Sequence, residues 1–263
     1  MTDEVIKAGN GGHFPEGTAV VIGGSGGLGA AICARLADHG SDVALTYRSN
    51  RAKAESVASA VAAAGKRHHI AAVDVSDANA VQQFFDDVAQ RYGRVHSVVF
   101  ATGADISMTY TSQIDLDEWH RTIAGDLTGF LHVIKAALPH LRAGGGGAIV
   151  ALTTAGIARH PPKDILSVVP KAGVEALVRG VAREEGRYGI RANSIGLGVI
   201  DAGLFHRLET RLTPEFVAAM KTNTALKRFG TAREVADAVV FLTSSVSGFI
   251  TGHSLTLDGG FAV

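Results

Sequence analysis

Seven short apolar runs, separated by longer segments of helical period, recur between residues 19 and 260. This alternation predicts repeated strand–helix–strand units and therefore a parallel sheet. Most of the runs are apolar throughout, as expected for strands that helices cover on both faces. In order they are AVVIGG, DVALTY, HIAAVD, HSVVFATG, GAIVALTT, RANSIGLG and SLTLDGG. The predicted fold class is α/β, a doubly wound sheet of about seven parallel strands with helices on both faces.

The length and charge of the chain limit its organisation and its partners. A chain of 263 residues with 46% hydrophobic side chains can bury one large core. We therefore expect residues 1–14 to form a flexible tail and residues 15–263 to form a single domain. The 25 lysines and arginines balance the 25 aspartates and glutamates, and no long basic run occurs. Nothing in this charge pattern suggests nucleic acid or an anionic membrane, and we predict neither as a partner.

The cysteine content and the amino-terminal segment bear on the cellular compartment. Cys33 is the only cysteine, which excludes an intrachain disulfide bond. The polar start MTDEVIKAGNGG has neither the apolar core of a secretion signal nor the arginine-rich pattern of a transit peptide. No uninterrupted apolar run reaches the roughly 18 residues of a membrane span. We expect a cytoplasmic protein, and no metal site is predicted.

A glycine-rich loop follows the first predicted strand. Gly23, Gly27 and Gly29 have the spacing GxxxGxG in GGSGGLGAAICARLADHG, which continues as an amphipathic helical pattern. Glycines in this position permit a tight turn and let backbone amides approach a pyrophosphate at the helix N-terminus. The same letters could also form a plain strand–helix turn. The succession of strand, loop and helix favours a dinucleotide-binding loop.

Several segments resemble the short-chain dehydrogenase/reductase family, whose glycine loop is TGxxxGxG, with Ile22 here at the threonine position. AVDVSD around Asp74 is similar to the family's adenine-contacting segment, and FATG (residues 100–103) occupies the place of NNAG. RANSIGLGVI resembles the segment that ends in a Pro-Gly turn, and residues 228–260 resemble the C-terminal signature. The resemblance extends over residues 14–263 and implies a Rossmann-like domain with a nicotinamide cofactor.

The end of the second strand bears on which cofactor is used. DVALTY ends at Tyr47, where an acidic residue would bind the ribose 2′-hydroxyl of NAD, and Arg48 follows. An arginine favours the 2′-phosphate through charge-assisted hydrogen bonds, and the missing carboxylate removes a repulsion. We predict NADP(H) over NAD(H), with a solvated surface arginine as the alternative. The predicted cofactor-binding residues are Gly23, Ser25, Gly26, Gly27, Leu28, Gly29, Arg48, Ser49, Asp74, Val75, Ala101, Gly103, Lys171, Gly198 and Ile200.

The resemblance also implies a catalytic set, of which this chain keeps only part. The family has a tyrosine four residues before a lysine on one helical face, a hydroxyl on strand five and an asparagine on helix four. Lys171 matches the lysine, and Thr154 matches the hydroxyl, with Thr153 as the neighbouring candidate. Asp126 replaces the asparagine, and Ser167 replaces the tyrosine. The predicted catalytic residues are Lys171, Thr154, Ser167 and Asp126.

The replaced tyrosine matters because the reaction needs a proton donor. Tyrosine has a reference pKa of ~10, whereas the pKa of an aliphatic hydroxyl lies far above it, so Ser167 is a poor general acid. A variant spacing in related enoyl reductases puts the tyrosine seven residues before the lysine, where this chain has Asp164. Tyr110 and His160 are nearby titratable residues, but each is also typical of a packing or solvated loop residue. The sequence assigns a catalytic role to none of these three.

Three more residues depart from the family pattern near the nicotinamide end. Leu197 replaces the proline before Gly198, and Ala202 stands near a position where a threonine often contacts the carboxamide. Pro170 has no amide proton, which predicts that the helix carrying Lys171 begins or bends near that lysine. The nicotinamide end is therefore more altered than the adenine end.

Two functions from different classes follow from this pattern. The first is an NADP(H)-dependent oxidoreductase that transfers a hydride between nicotinamide and a carbonyl, alcohol or activated alkene of a small or acyl-type substrate. Acid–base help contributes about 10²–10⁴-fold, so a missing acid slows such a reaction without necessarily abolishing it. The second is a catalytically impaired nucleotide-binding relative, acting as a sensor or assembly subunit. We predict the enzyme, and the resemblance implies a homotetramer or dimer with interface helices around residues 127–141 and 174–188.

Overall fold

One parallel sheet of seven strands organises the part of the chain that the computed structural model describes, residues 13–263. The strands are β1 (Thr18–Ile22), β2 (Asp42–Tyr47), β3 (His68–Ala72), β4 (Val95–Phe100), β5 (Gly147–Thr154), β6 (Ile190–Leu197) and β7 (Ser254–Leu257). Their order across the sheet is β3-β2-β1-β4-β5-β6-β7, and every pairing is parallel. Each predicted run forms a strand, and β2 and β5 have the predicted bounds. Of the tail predicted for residues 1–14, residues 1–12 lie outside the part of the chain that the structure describes.

Helices cover both faces of the sheet. They are α1 (Gly27–Asp38), α2 (Arg51–Ala63), α3 (Ala78–Tyr92), α4 (Leu116–Thr122), α5 (Gly129–Ala143), α6 (Ile165–Glu185), α7 (Leu204–Glu209), α8 (Pro214–Thr222) and α9 (Ala232–Thr243). Helices α3, α5 and α6 share one layer of buried side chains with the sheet, and α1, α2 and α9 share the other. Alternate residues of β1 enter the two layers: Val20 and Ile22 on one side, Ala19 and Val21 on the other. The predicted doubly wound fold is confirmed.

The strand order creates a crevice beside β1. This strand pairs with β2 on one side and with β4 on the other, so the winding of the chain reverses there. In open α/β sheets such a reversal leaves a crevice at the carboxyl ends of the strands, and ligands bind in it. The glycine loop follows β1, and residues 101–103 follow β4. Two of the predicted cofactor segments therefore border the same crevice.

Two helical segments near the predicted catalytic residues have unusual geometry. Helices α4 and α5 are joined without a break by a π-helical segment, Ile123–Thr128, a form that often occurs at functional sites. Pro170 predicted that α6 begins or bends near Lys171; the helix begins at Ile165, so the first of these alternatives is wrong. Because Pro170 has no amide proton, the carbonyl of Leu166 lacks its usual intrahelical donor. Among residues 13–263, no helix has the length and apolar composition needed to cross a membrane.

Candidate active site

The glycine loop joins β1 to α1 and is tied to β2. The Gly23 amide donates a hydrogen bond to the hydroxyl oxygen of the buried Thr46, at 2.9 Å. Gly23 has a φ of 79°, a conformation that favours glycine. A Cβ at Gly29 would collide with the Gly23 carbonyl oxygen, because the first turn of α1 packs directly on the loop. Both positions therefore require glycine for the backbone path itself.

The start of α1 suits a phosphate group. Gly26 is the N-cap residue and supplies no side-chain cap, and the first turn holds no acidic side chain. The first amides of a helix have no intrahelical acceptor and, with the helix dipole, attract anions. Gly26 and Gly27 are exposed, and Ser25 and Leu28 are half-buried. These predicted cofactor residues can therefore present backbone amides to a pyrophosphate.

Arg48 and Asp74 lie at the neighbouring carboxyl ends of β2 and β3, and both are exposed. Two hydrogen bonds from Ser76 lower the pKa of the Asp74 carboxyl, and the positive charge of Arg48 lowers it further. Arg48 is therefore close enough to act on the predicted adenine-contacting aspartate. Ser49 is exposed beside Arg48, whereas the Val75 side chain belongs to the core.

A buried hydroxyl without a partner lies beside the glycine loop. Thr102 stands between Ala101 and Gly103, and its Oγ1 has no hydrogen-bond partner among residues 13–263. A Cβ at Gly23 would lie 3.2 Å from Thr102 Cγ2, so the two residues adjoin. An unpaired buried hydroxyl costs about 1–3 kcal/mol, a cost that a polar ligand can remove. The residues of this crevice thus fit a dinucleotide, and the sequence reasoning did not single out Thr102.

Two elements bring a lysine and an aspartate together at the catalytic end. Lys171 on α6 donates a hydrogen bond from Nζ to Asp126 Oδ2 of the π-helical segment, at 2.8 Å. The Asp126 side chain is 5% exposed and that of Lys171 is 15% exposed, so the ion pair is largely removed from water. A Cβ at Gly173 would lie 2.8 Å from Leu127 Cδ1, which shows how closely α6 approaches the π-helical segment.

The hydroxyl groups of the two candidate threonines have different partners. Thr153 is buried and donates to Glu175 Oε1 at 2.9 Å, and Ser254 donates to the same oxygen at the same distance. Thr154 Oγ1 accepts from the Gly156 amide at 3.1 Å, which leaves its own proton available. Ser167 is half-buried and makes no side-chain hydrogen bond with residues 13–263. Thr154 is therefore the better candidate to orient a substrate carbonyl.

The segment after β6 lies over the glycine loop. A Cβ at Gly27 would lie 2.7 Å from the backbone of Gly203, and one at Gly103 would lie 2.9 Å from Leu204 Cδ1. A Cβ at Gly198 would likewise lie 2.7 Å from the backbone of Asp258. The side chain of Ile200 is buried in the core, so it can contact a ligand through its backbone only. Gly203 and Leu204 thus adjoin two glycines that border the crevice.

Ion pairs connect the two walls of the crevice mouth. Asp105, in the loop after β4, lies 3.6 Å from Arg207 of α7 and 3.5 Å from Arg211. Tyr110, further along the same loop, is 57% exposed, and its ring centroid lies 4.7 Å from Lys163 Nζ. The phenol therefore stands at the entrance, next to the start of α6.

One titratable group at this end has a strongly perturbed pKa. Burial raises the pKa of Asp164 to about 6, although the positive charges of Lys171 and His160 counteract part of the rise. The sequence showed only that Asp164 lies seven residues before Lys171, which places both on one face of a helix. Its burial could not be predicted from that spacing.

Comparisons with known proteins identify the family of the chain. A model of the enoyl-(acyl carrier protein) reductase family matches residues 23–262. A cis-4-hydroxycyclohexanecarboxylate dehydrogenase of Sinomonas cyclohexanicum is 32% identical over 248 residues, which cover 94% of this chain and 97% of that protein. The resemblance described from the sequence therefore extends to whole proteins and to nearly their full length.

Solved structures agree as well. A short-chain dehydrogenase of Burkholderia cenocepacia in complex with NADP has a TM-score of 0.86 and 30% identity, covering 94% of this chain and 98% of that one. A carveol dehydrogenase of Mycobacterium avium in complex with NAD has a TM-score of 0.89 and 27% identity, covering 95% and 99%. The crevice, the sheet order and these matches lead to one conclusion: the chain belongs to the short-chain dehydrogenase/reductase family and is an oxidoreductase of that type.

Proposed function

We propose that this protein is an NADP(H)-dependent oxidoreductase whose substrate is a carbonyl compound, an alcohol or an activated alkene of a small or acyl-type molecule. When bound, the nicotinamide supplies or accepts the hydride. The observation that carries the proposal is that the glycine loop follows β1 and Thr154 ends β5, both at the carboxyl edge of one sheet, while Lys171 lies on α6, the helix after β5. Thr102 and Lys171 would hold the cofactor, and Thr154 would orient the substrate oxygen.

The preference for NADP(H) rests on Arg48. It follows Tyr47 at the end of β2, is exposed and acts on Asp74 across the crevice rim. A guanidinium there can form charge-assisted hydrogen bonds with a 2′-phosphate, and no carboxylate at position 47 repels that group. The similar structures include one complex with NAD and one with NADP, so family membership alone does not select the cofactor. The proposed preference for NADP(H) therefore rests on Arg48.

Nucleotide titration tests the cofactor half of the proposal. NADPH and then NADH are titrated into the purified protein while nicotinamide fluorescence is followed. We expect NADPH to bind more tightly, and Arg48→Asp to weaken NADPH binding by about 10–100-fold, the loss of one or two charge-assisted hydrogen bonds. NADH binding should change little.

Arg91→Asp is the matched control, because Arg91 is an exposed arginine in the last turn of α3, where it pairs with Asp87. It makes the same change of charge at a different end of the molecule and should leave both affinities within about threefold. Equal affinities for NADPH and NADH in the wild type would contradict the preference. No binding of either nucleotide would overturn the proposed function.

A substrate panel tests the catalytic half. NADPH oxidation is followed with cyclohexanone carboxylates, cyclic diketones, cyclic enones, and oxoacyl and enoyl thioesters. These classes are chosen because one similar protein is a cis-4-hydroxycyclohexanecarboxylate dehydrogenase and the matching family model is that of enoyl-(acyl carrier protein) reductases. We expect turnover of at least one class. Ser167→Tyr restores the family's tyrosine and serves as the positive control. Tight NADPH binding without turnover by either protein would favour a nucleotide-binding sensor or assembly subunit.

We further propose that the protein forms a homo-oligomer, a dimer or a tetramer. Exposed apolar side chains support this: Leu131 on α5 is 40% exposed, Tyr188 after α6 is 40% exposed, and Phe249 before β7 is fully exposed. Sedimentation velocity of the wild type and of Leu131→Asp and Phe249→Asp tests it. A monomeric wild type at micromolar concentration would contradict this proposal.

A further inference from the structure

The carboxyl group of Asp164, at the start of α6, has no hydrogen-bond partner among residues 13–263. Asp164 is the N-cap residue of α6, and its carbonyl accepts hydrogen bonds from the amides of Ser167 and Val168, at 3.0 and 2.9 Å. The backbone at position 164 is therefore fixed to the helix. The carboxylate itself neither caps the helix nor hydrogen-bonds with any residue in 13–263. It is available to a ligand.

The charged groups around Asp164 favour a catalytic role. The ammonium of Lys171 acts on it from α6, and the imidazole of His160 acts on it from the segment after β5. The neighbouring ammonium of Lys163 lies instead against the ring of Tyr110, across the entrance. Half-buried in this setting, the Asp164 carboxyl has its pKa raised to about 6. An acid of that strength exchanges its proton near neutrality, as acid–base catalysis requires.

The other candidates at this end are less suitable. Ser167 has a hydroxyl whose pKa lies far above the neutral range. The carboxylate of Asp126 is engaged by Lys171 in the buried ion pair. The phenol of Tyr110 is mostly exposed at the entrance. Asp164 directly precedes α6, three residues before Ser167 and seven before Lys171, and the charge of Lys171 acts on its carboxyl, so it stands next to the positions that the family uses for catalysis.

We propose that Asp164 donates the proton to the substrate oxygen in reduction and takes it back in oxidation, an assignment that rests on the proposed function. In reduction the carbonyl carbon gains the hydride, and the electron pair of the breaking C=O π-bond moves to the oxygen. That oxygen takes the proton of the Asp164 carboxyl and becomes an alcohol. NADPH is oxidised to NADP⁺, and the carboxylate of Asp164 regains its proton from solvent.

The test compares wild type, Asp164→Asn and Asp164→Glu with a carbonyl substrate from the panel, measuring kcat/KM against pH. Reduction needs protonated Asp164, so the wild-type value should be constant in acid and fall about tenfold per pH unit above a pKa of about 6. Asp164→Asn should lower kcat/KM by about 10²–10⁴-fold and remove its fall above that pKa. Asp164→Glu should retain part of the activity and part of this pH dependence. The NADPH dissociation constant should stay within threefold.

A second readout requires neither cofactor nor turnover. Difference infrared spectroscopy of the free protein, titrated from acid to neutral pH, should show a protonated-carboxyl band that persists to about pH 6. Asp164→Asn should remove the band. Asp117→Asn, a change of an exposed aspartate on α4, should leave both the band and the pH profile of catalysis unchanged.

The outcomes separate this assignment from the proposed function. Turnover by Asp164→Asn within threefold of wild type, with the same pH limb, overturns the assignment alone. So does a loss of the limb in Tyr110→Phe with Asp164→Asn unaffected. An inactive wild type together with an active Ser167→Tyr variant also overturns the assignment of Asp164, since the site is then active only with a tyrosine. If neither wild type nor Ser167→Tyr turns over, the proposed function and the assignment are both wrong.

Discussion

Lys171 Nζ and Asp126 Oδ2 are 2.8 Å apart, in an ion pair whose two side chains are 15% and 5% exposed. The family pattern has an uncharged asparagine at position 126. In this protein the charge of the lysine is therefore balanced by a carboxylate within the protein itself. The pair joins α6 to the π-helical segment, so the same contact that positions Lys171 also connects two elements of the fold.

Removing one member of this buried pair should destabilise the protein strongly. Asp126→Ala leaves an unpaired buried ammonium and should lower the free energy of unfolding by about 3–5 kcal/mol; Lys171→Ala should act similarly. The double variant should lose much less than both combined, because it leaves no isolated charge. Urea unfolding measures all four proteins.

The exposed pair of Arg51 and Glu55 is the control for that cycle. Its nitrogen–oxygen distance is also 2.8 Å, but the side chains are 72% and 53% exposed. Solvent screening should limit its coupling energy to under about 1 kcal/mol. A coupling energy that small at Asp126 and Lys171 would contradict the prediction.

Thr102 should affect stability and cofactor binding in opposite directions. Its buried Oγ1 has no partner among residues 13–263, and valine has nearly the same shape. Thr102→Val should therefore raise the free energy of unfolding of the free protein by about 1–3 kcal/mol. NADPH binding should weaken, since the hydroxyl is then lost to the ligand. Denaturation and fluorescence titration of the same preparation test both effects, and unchanged affinity would exclude Thr102 from the cofactor site.

Two glycines of α6 should respond differently to alanine. A Cβ at Gly173 would lie 2.8 Å from Leu127 Cδ1, whereas one at Gly180 would meet nothing within 4 Å. Gly180→Ala should stabilise the protein by roughly 0.5–1 kcal/mol through helix propensity. Gly173→Ala should stabilise less than Gly180→Ala, because its methyl group must displace the Leu127 side chain, and it should weaken NADPH binding, because α6 carries Lys171. Equal unfolding midpoints for the two variants would contradict the packing described here.

Mild acid should destabilise the protein through His96. This buried imidazole lies between Ser41 and Ser97, and burial lowers its pKa to about 4, with the charge of Arg94 lowering it further. An unfolded histidine has a pKa near 6.5, so between about pH 6.5 and 4 the unfolded chain binds a proton that the folded protein does not. The stabilisation is complete above about pH 6.5 and should decline by about 3 kcal/mol as the pH falls to 4.

Chemical denaturation across this pH range measures the effect. His96→Gln should flatten the dependence of the unfolding free energy on pH between about 6.5 and 4. His68→Gln, which changes an exposed histidine at the start of β3, should retain the wild-type slope. Parallel curves for wild type and His96→Gln would show that His96 is not the group responsible.

The fold could be predicted from the sequence because it is decided by the apolar runs of strand length and by the helical period of the segments between them. Seven apolar runs and the glycine loop specify a parallel, doubly wound sheet, and the parallel strands place Arg48 and Thr154 at its carboxyl edge. The sequence favoured Thr154 over Thr153 by the family pattern alone, and the hydrogen bond from Thr153 to Glu175 supplies a physical reason that the sequence could not give.

Features that depend on tertiary burial were missed. The unpaired hydroxyl of Thr102 and the raised pKa of Asp164 arise from neighbours distant in the chain. Pro170 predicted that α6 begins or bends near Lys171; the helix begins at Ile165 and contains the proline, because the proline rule describes local helix strain and takes no account of packing around Pro170. Sequence patterns thus predicted which segments form the site but could not predict the environment of single side chains.

The contact between Gly203 and the glycine loop has a kinetic consequence. The backbone at Gly203 lies against Gly27, and the same segment continues into α7, which borders the entrance. Because Gly26 and Gly27 are exposed, a dinucleotide can reach the first amides of α1, and this adjoining segment can then close over it. We expect a compulsory order of addition, nucleotide first, with nucleotide release limiting turnover. Product-inhibition patterns reveal that order, and random addition would show that the segment moves independently of the cofactor.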